Sequence, residues 1–169
     1  MQDEPPHWTW GRVMTKAIVD SMGAYSKSLF PFLPVGVAAD HKWRTGERYR
    51  VIDFLIAQTW MEPTGQTPSA WRDSAVSIAK SNGVALALSL NLFGERLTEG
   101  CIRTGNQCWM TPTQVREWGR VIVSEPHACA ATMWTWKAEM WSRADYQASL
   151  KDVTSVARNR VAKPCTRPS

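Results

Sequence analysis

Short apolar runs alternate with amphipathic stretches along this 169-residue chain. The runs at 34–39, 51–57, 84–90 and 128–133 are nearly continuous. That is the pattern of strands buried on both faces, as in parallel sheets covered by helices. Each run stops at a polar or aromatic cluster: Asp40-His41, Gln58, Asn91 and Trp134-Thr135-Trp136-Lys137. A stub at Asp3-Glu4-Pro5 makes a fifth candidate. Ligands of parallel α/β folds sit at the carboxyl ends of the strands, so these clusters are the first candidates for a site.

Helical periodicity fills most of the intervals. A first helix is predicted over 15–29, with Ile18, Met22, Tyr25 and Leu29 as one apolar stripe and Phe30-Pro31 as its end. Thr67-Pro68 opens a second, which turns Trp71, Ala75 and Ile78 inward and stops at Asn82-Gly83. Thr111-Pro112-Thr113-Gln114 has the form of a capping box and opens a third, burying Val115, Trp118 and Ile122. The last runs from Ala144 to Arg158, behind Ser142, with Tyr146, Leu150, Val153 and Ala157 on one face. Residues 41–50 form a polar connection and 94–109 a long loop, a type that often carries function. The order gives an α/β protein of about four and a half right-handed βα units with parallel strands, in one domain over 1–169. No GxGxxG or GxxxxGK[ST] turn follows a strand, which favours a barrel over a nucleotide-binding fold.

The net charge of +5 changes this picture little. Basic residues are scattered except for Arg158, Arg160, Lys163 and Arg167, so 159–169 reads as a solvated basic tail rather than a nucleic-acid surface. No apolar run is long enough to span a membrane. Ten tryptophans are the outlier; most are expected as core or interface anchors, sugar-stacking platforms use them too, and their number alone does not discriminate. Four cysteines permit three pairings. Cys101 and Cys108 share a loop, while a returning helix could bring Cys165 to Cys129. Both pairs fit an oxidising compartment, and four free thiols fit a cytosolic one. His7, His41 and His127 are dispersed and no CxxC spacing occurs, so neither a metal nor another cofactor is expected. No GxSxG elbow supports a hydrolase triad.

Asp3-Glu4-Pro5, Leu33-Pro34-Val35-Gly36-Val37 with Asp40-His41, Tyr49-Arg50-Val51-Ile52-Asp53-Phe54, Leu88-Ser89-Leu90-Asn91, Met110-Thr111-Pro112, Cys129-Ala130 and Met133-Trp134 carry a further likeness. Through them the chain resembles the C-terminal half of glycoside-hydrolase-like (β/α)8 (TIM-type) barrels, and in particular uncharacterised secreted bacterial members of that superfamily. The resemblance implies a partial barrel in which Glu4 ends the fourth strand and the other runs are strands five to eight. It also implies a secreted or periplasmic protein whose leader lies outside this sequence.

Glycoside hydrolysis needs two carboxyls, one to protonate the leaving oxygen and one to attack or to activate water. The resemblance makes Glu4 the general acid and leaves Asp40 as the second carboxylate. Strand seven ends in Asn91, an amide that cannot be a nucleophile. Asp3, His41, Gln58, Asn91, Trp134, Trp136 and Lys137 are the candidate substrate contacts, the two tryptophans as platforms. Amides at strand ends suit ligand hydroxyls and backbone partners alike. The rival expectation is a non-catalytic carbohydrate-binding or assembling barrel fragment. Eight βα units need about 250 residues, so either a homodimer or a missing N-terminal half-barrel is expected as partner.

Overall fold

The computed structural model describes residues 15–38, 48–59, 67–94, 100–105, 107–134 and 137–168, without the side chains of residues 93, 94 and 134. From the first helix onward the long elements follow the predicted order. Helix α1 spans Lys16–Leu29, strand β1 Gly36–Ala38, strand β2 Phe54–Gln58, helix α2 Pro68–Asn82 and strand β3 Ala85–Asn91. Then come short strands β4 (Phe93–Gly94), β5 (Ile102–Thr104) and β6 (Gln107–Trp109), helix α3 (Pro112–Ser124), strand β7 (Ala128–Trp134), and helices α4 (Ala138–Trp141) and α5 (Ala144–Arg158).

Three helices begin on threonine for one reason: the first backbone N–H groups of a helix lack partners, and a short hydroxyl can accept from one of them. Thr15 accepts from Ile18, Thr67 from Ala70 and Thr111 from Gln114. Gln114 also accepts from the Thr111 backbone, closing the capping box at 2.8 Å. Proline follows Thr67 and Thr111, where its missing N–H costs nothing. Gly83 ends α2 at φ 64°, a left-handed conformation that glycine adopts without strain.

Strands β1, β2, β3 and β7 form one parallel sheet, in that order. The order follows the chain with no reversal. Residues paired across parallel strands share a face, so Val37, Leu55, Ala57, Leu86, Leu88 and Leu90 point one way. Ala38, Ile56, Gln58, Ala87, Ser89, Asn91, Ala130 and Thr132 point the other. The hydrophobic core lies on the leucine side. There Leu86, Leu88 and Leu90 meet Ala75 and Ala79 of α2, Val115 and Ile122 of α3, and Tyr146 of α5. Val37 and Leu55 meet Val19 of α1 and Ile78 of α2 in an adjoining cluster. Among the described residues, the four long helices thus serve one face of the sheet. Helix α5 packs on α3 at Gly119, where a Cβ would stand only 2.6 Å from a methyl of Val153.

Buried carboxylates clip α1 to the strands. Asp20 accepts from the backbone N–H groups of Arg50 (2.7 Å), Val51 (2.9 Å) and Ile52 (3.3 Å). Asp53 accepts from Val35 N–H and from the Lys27 ammonium, both at 2.8 Å. An isolated buried carboxylate would be costly, but these are saturated with donors.

Three expectations need correction. Region 94–109 is not simply a loop: β4, β6 and β5 pair as a small antiparallel sheet, closed by a Cys101–Cys108 disulfide. The strands are too short to show alternation. The segment after α5 is no freely solvated tail either. Arg160 donates to the carbonyls of Glu125 (2.9 Å) and Ala128, Arg167 to those of Ile52 (2.9 Å) and Tyr49, and Cys165 is bonded to Cys129. Carbonyls near the starts of β2 and β7 need donors, and a planar guanidinium supplies several at once. The stripe on α1 is the third correction. Ile18, Met22, Tyr25 and Leu29 are exposed, and Val19, Asp20 and Gly23 face inward instead.

Candidate functional site at the carboxyl ends of the strands

The register places Gln58, Ser89 and Thr132 in one row across β2, β3 and β7, on the face away from the helices. Asn91 and Trp134 form the next row. The central residues of the group, Ser89 and Asn91, are buried, Gln58 is half-buried and Thr132 exposed. An amide and two hydroxyls thus step across the sheet from half-buried Gln58 through buried Ser89 to exposed Thr132, and the buried amide of Asn91 stands one row further on.

Thr59, which the sequence reading passed over, holds this end together. Its backbone N–H donates to the Ser89 carbonyl at 2.9 Å, and its hydroxyl accepts from Asn91 N–H at 3.0 Å. The β2–β3 ladder is thus extended one step past β2 by a side chain, which fixes the height of Asn91. Beyond it, Leu92 accepts from Met110 N–H at 2.9 Å, and Tyr146 donates its hydroxyl to the Met110 carbonyl at 2.7 Å. Burial holds the Tyr146 hydroxyl pKa well above the usual range, so it stays a donor at any physiological pH. The signal for Thr59 was its place directly after an apolar run. Gln58 drew attention there because an amide is the larger polar group.

Lys137 follows β7 and is not a simple solvated charge. Its ammonium stands 5.9 Å from the ring centroid of Trp109, which is fully buried, and 3.2 Å from the Glu139 carboxylate. A cation over an indole face gains from the ring quadrupole. Trp109 lies at the end of β6, so the small antiparallel sheet and the segment after β7 meet at this contact. Asp3, Glu4, Asp40, His41 and Trp136 lie outside the described residues, and of Trp134 only the backbone position is described. Gln58, Asn91, Trp134 and Lys137 share the carboxyl end of the sheet, joined by Ser89, Thr132, Thr59 and Trp109.

Among the described residues, this end offers neutral donors and acceptors and a lysine–glutamate pair. No group of three His, Cys, Asp or Glu among the described residues is arranged to hold a metal ion. No described helix is long and apolar enough to cross a membrane. Two disulfides in one domain fit an oxidising compartment. Compared with protein-family models, curated proteins and solved structures, the chain gives no match.

Proposed function

We propose that this chain is a wall of a glycoside-hydrolase-like (β/α)8-type barrel, secreted or periplasmic, whose polar strand ends bind a carbohydrate. One observation carries the reading. Among the described residues, four parallel strands succeed one another in chain order with the long helices on one face, and the Gln58–Ser89–Thr132 row stands on the opposite face. A doubly wound sheet reverses its strand order and covers both faces, whereas a barrel wall does neither. The face away from the described helices would then line the barrel, with Ala38, Ile56, Ala87 and Ala130 below and hydrogen-bonding groups at the carboxyl rim. Sugars present neutral hydroxyls, and amides and hydroxyls answer them without the desolvation cost of a charge.

In this reading Glu4 is the general acid and Asp40 its partner carboxylate, with Asp3, His41, Trp134, Trp136 and Lys137 about the same rim. The buried Asn91, set by Thr59, favours a second reading in which the barrel binds sugar without hydrolysing it. Both are separable by experiment. A screen of neutral oligosaccharides by array, followed by calorimetry, is expected to find a ligand whose affinity falls about tenfold in Gln58→Ala, the loss of one or two hydrogen bonds. Glu4→Gln is expected to abolish turnover of 4-nitrophenyl glycosides while leaving binding intact. Binding without turnover in the wild type selects the non-catalytic reading. Absence of binding by any oligosaccharide rejects both.

A further inference from the structure

We propose that α1 is the seam of a symmetric dimer, packed against α1 of a second copy of this chain. Ile18, Met22, Tyr25 and Leu29 repeat at intervals of four, three and four residues, the spacing of a helix–helix seam. They are 39%, 44%, 67% and 55% exposed, and the patch continues into Phe30, Phe32 (96%) and Leu33. Seven large apolar residues left open over 18–33 are more than singly scattered exposed residues explain, and a concentration of this kind marks an interaction surface.

The charges of α1 sharpen the case. Lys16 donates to Asn82 at 3.3 Å and lies over the Tyr49 ring, Asp20 takes three backbone N–H groups, and Lys27 pairs with Asp53. Every charge on the helix is directed to the protein's own core side. The outward residues are Ala17, Ile18, Ser21, Met22, Ala24, Tyr25, Ser28 and Leu29, none of them charged. A helix meant for an anionic membrane surface carries lysines and arginines along its polar margin, and this one has none there.

A second copy fits better than a foreign protein because the surface is self-complementary. Ala17, Ser21, Ala24 and Ser28 repeat with the same four-three-four spacing, one row over from the large residues. In an antiparallel pair about a two-fold axis, the large row of each helix lies over the small row of the other, as an isologous interface requires. The seam is on the helix-bearing face, so it leaves the Gln58–Ser89–Thr132 row free and stands or falls apart from any carbohydrate reading.

Sedimentation of the full 169-residue protein from about 1 to about 200 μM tests the seam. The wild type is expected to dimerise. Met22→Lys with Tyr25→Lys is expected to weaken association at least about 100-fold with an unchanged far-ultraviolet spectrum, while Met22→Leu keeps the dimer. Gln147→Lys, on the solvent face of α5, is the control and leaves association unchanged. A wild type that stays monomeric throughout overturns the proposal, whether the stripe is then bare or covered by the chain's own residues. So does a dimer that survives the double lysine variant.

Discussion

Helices α1 and α5 are near equals in length, yet they spend their residues in opposite ways. In α5, Tyr146 and Val153 are buried with Leu150 beside them, while Arg143, Asp145, Gln147, Lys151 and Arg158 face water. Its charges pair at the surface: Arg143 with Asp145 at 2.7 Å, and Arg120 of α3 with Asp152 at 2.5 Å. In α1 the large apolar residues face out and the charges face in. The same periodicity therefore has two meanings. On α5 it marks the side that meets this chain, and on α1 a side that meets something else. What separates them is the company kept by the charged residues: paired at the surface on α5, and directed to inward partners on α1.

The same apolar-to-charged change should separate the two helices most sharply. Val153→Asp puts an unpaired carboxylate against Gly119 and should cost more than about 4 kcal/mol, or prevent folding. Tyr25→Lys should shift the stability of the isolated monomer by no more than about 0.5 kcal/mol. Urea denaturation of both, at concentrations too low for association, measures the contrast. Equal losses would mean that α1's stripe is part of the core.

The anchoring of α5 to the sheet gives the next effect. Replacing Cys129 and Cys165 together by serine opens a bridge across 36 residues, for which chain entropy alone predicts about 3–4 kcal/mol. Denaturation midpoints should fall accordingly, with Arg160 and Arg167 still holding part of the segment. Cys101→Ser with Cys108→Ser, closing only seven residues, should cost less.

The smallest effect is one of pH. His127 lies near the start of β7 with its Nε2 buried and unpartnered. Burial lowers its pKa below the usual 6.5, and Lys80 of α2 and Lys163 of the final segment lower it further, while Glu125 opposes them. Glu125 is itself 3.4 Å from Arg72. The unfolded chain then binds a proton that the folded one resists. The associated stability is complete above about pH 6.5 and is lost progressively as pH falls below it. His127→Gln should flatten the thermal midpoint between about pH 6.5 and the lowered folded value. An equal slope in both proteins would place the titration elsewhere.

Much of the fold was legible because its signals are local. Thr111 and Gln114 close their capping box through neighbouring groups, and the run at 84–90 needs only its own residues to read as a doubly buried strand. The cysteine pairs were legible because Cys101 and Cys108 share one loop and a βα unit returns Cys165 toward the start of the strand that carries Cys129. What was not legible depends on distant partners. Arg167 finds its carbonyls near Tyr49 and Ile52, more than a hundred positions away. Helix α4 is a single turn and β5 and β6 three residues each, too short for any period to show. Thr59 was missed since its role is to receive the backbone of another strand. Periodicity on α1 identified a stripe, and only the fates of Lys16, Asp20 and Lys27 reveal which way it faces. Of the residues proposed for the site, Gln58, Asn91, Trp134 and Lys137 stand at the carboxyl end of the sheet, while Asp3, Glu4, Asp40, His41 and Trp136 lie outside the described residues.

Hydrogen exchange of the protein with and without its selected oligosaccharide tests the central claim, that the face away from the described helices ends in a sugar-binding rim. Binding should slow exchange at 57–59, 89–92 and 132–134 and leave α1, α5 and the Arg160–Arg167 end of the sheet unchanged. Protection confined to the helices, or to the starts of the strands, would contradict it.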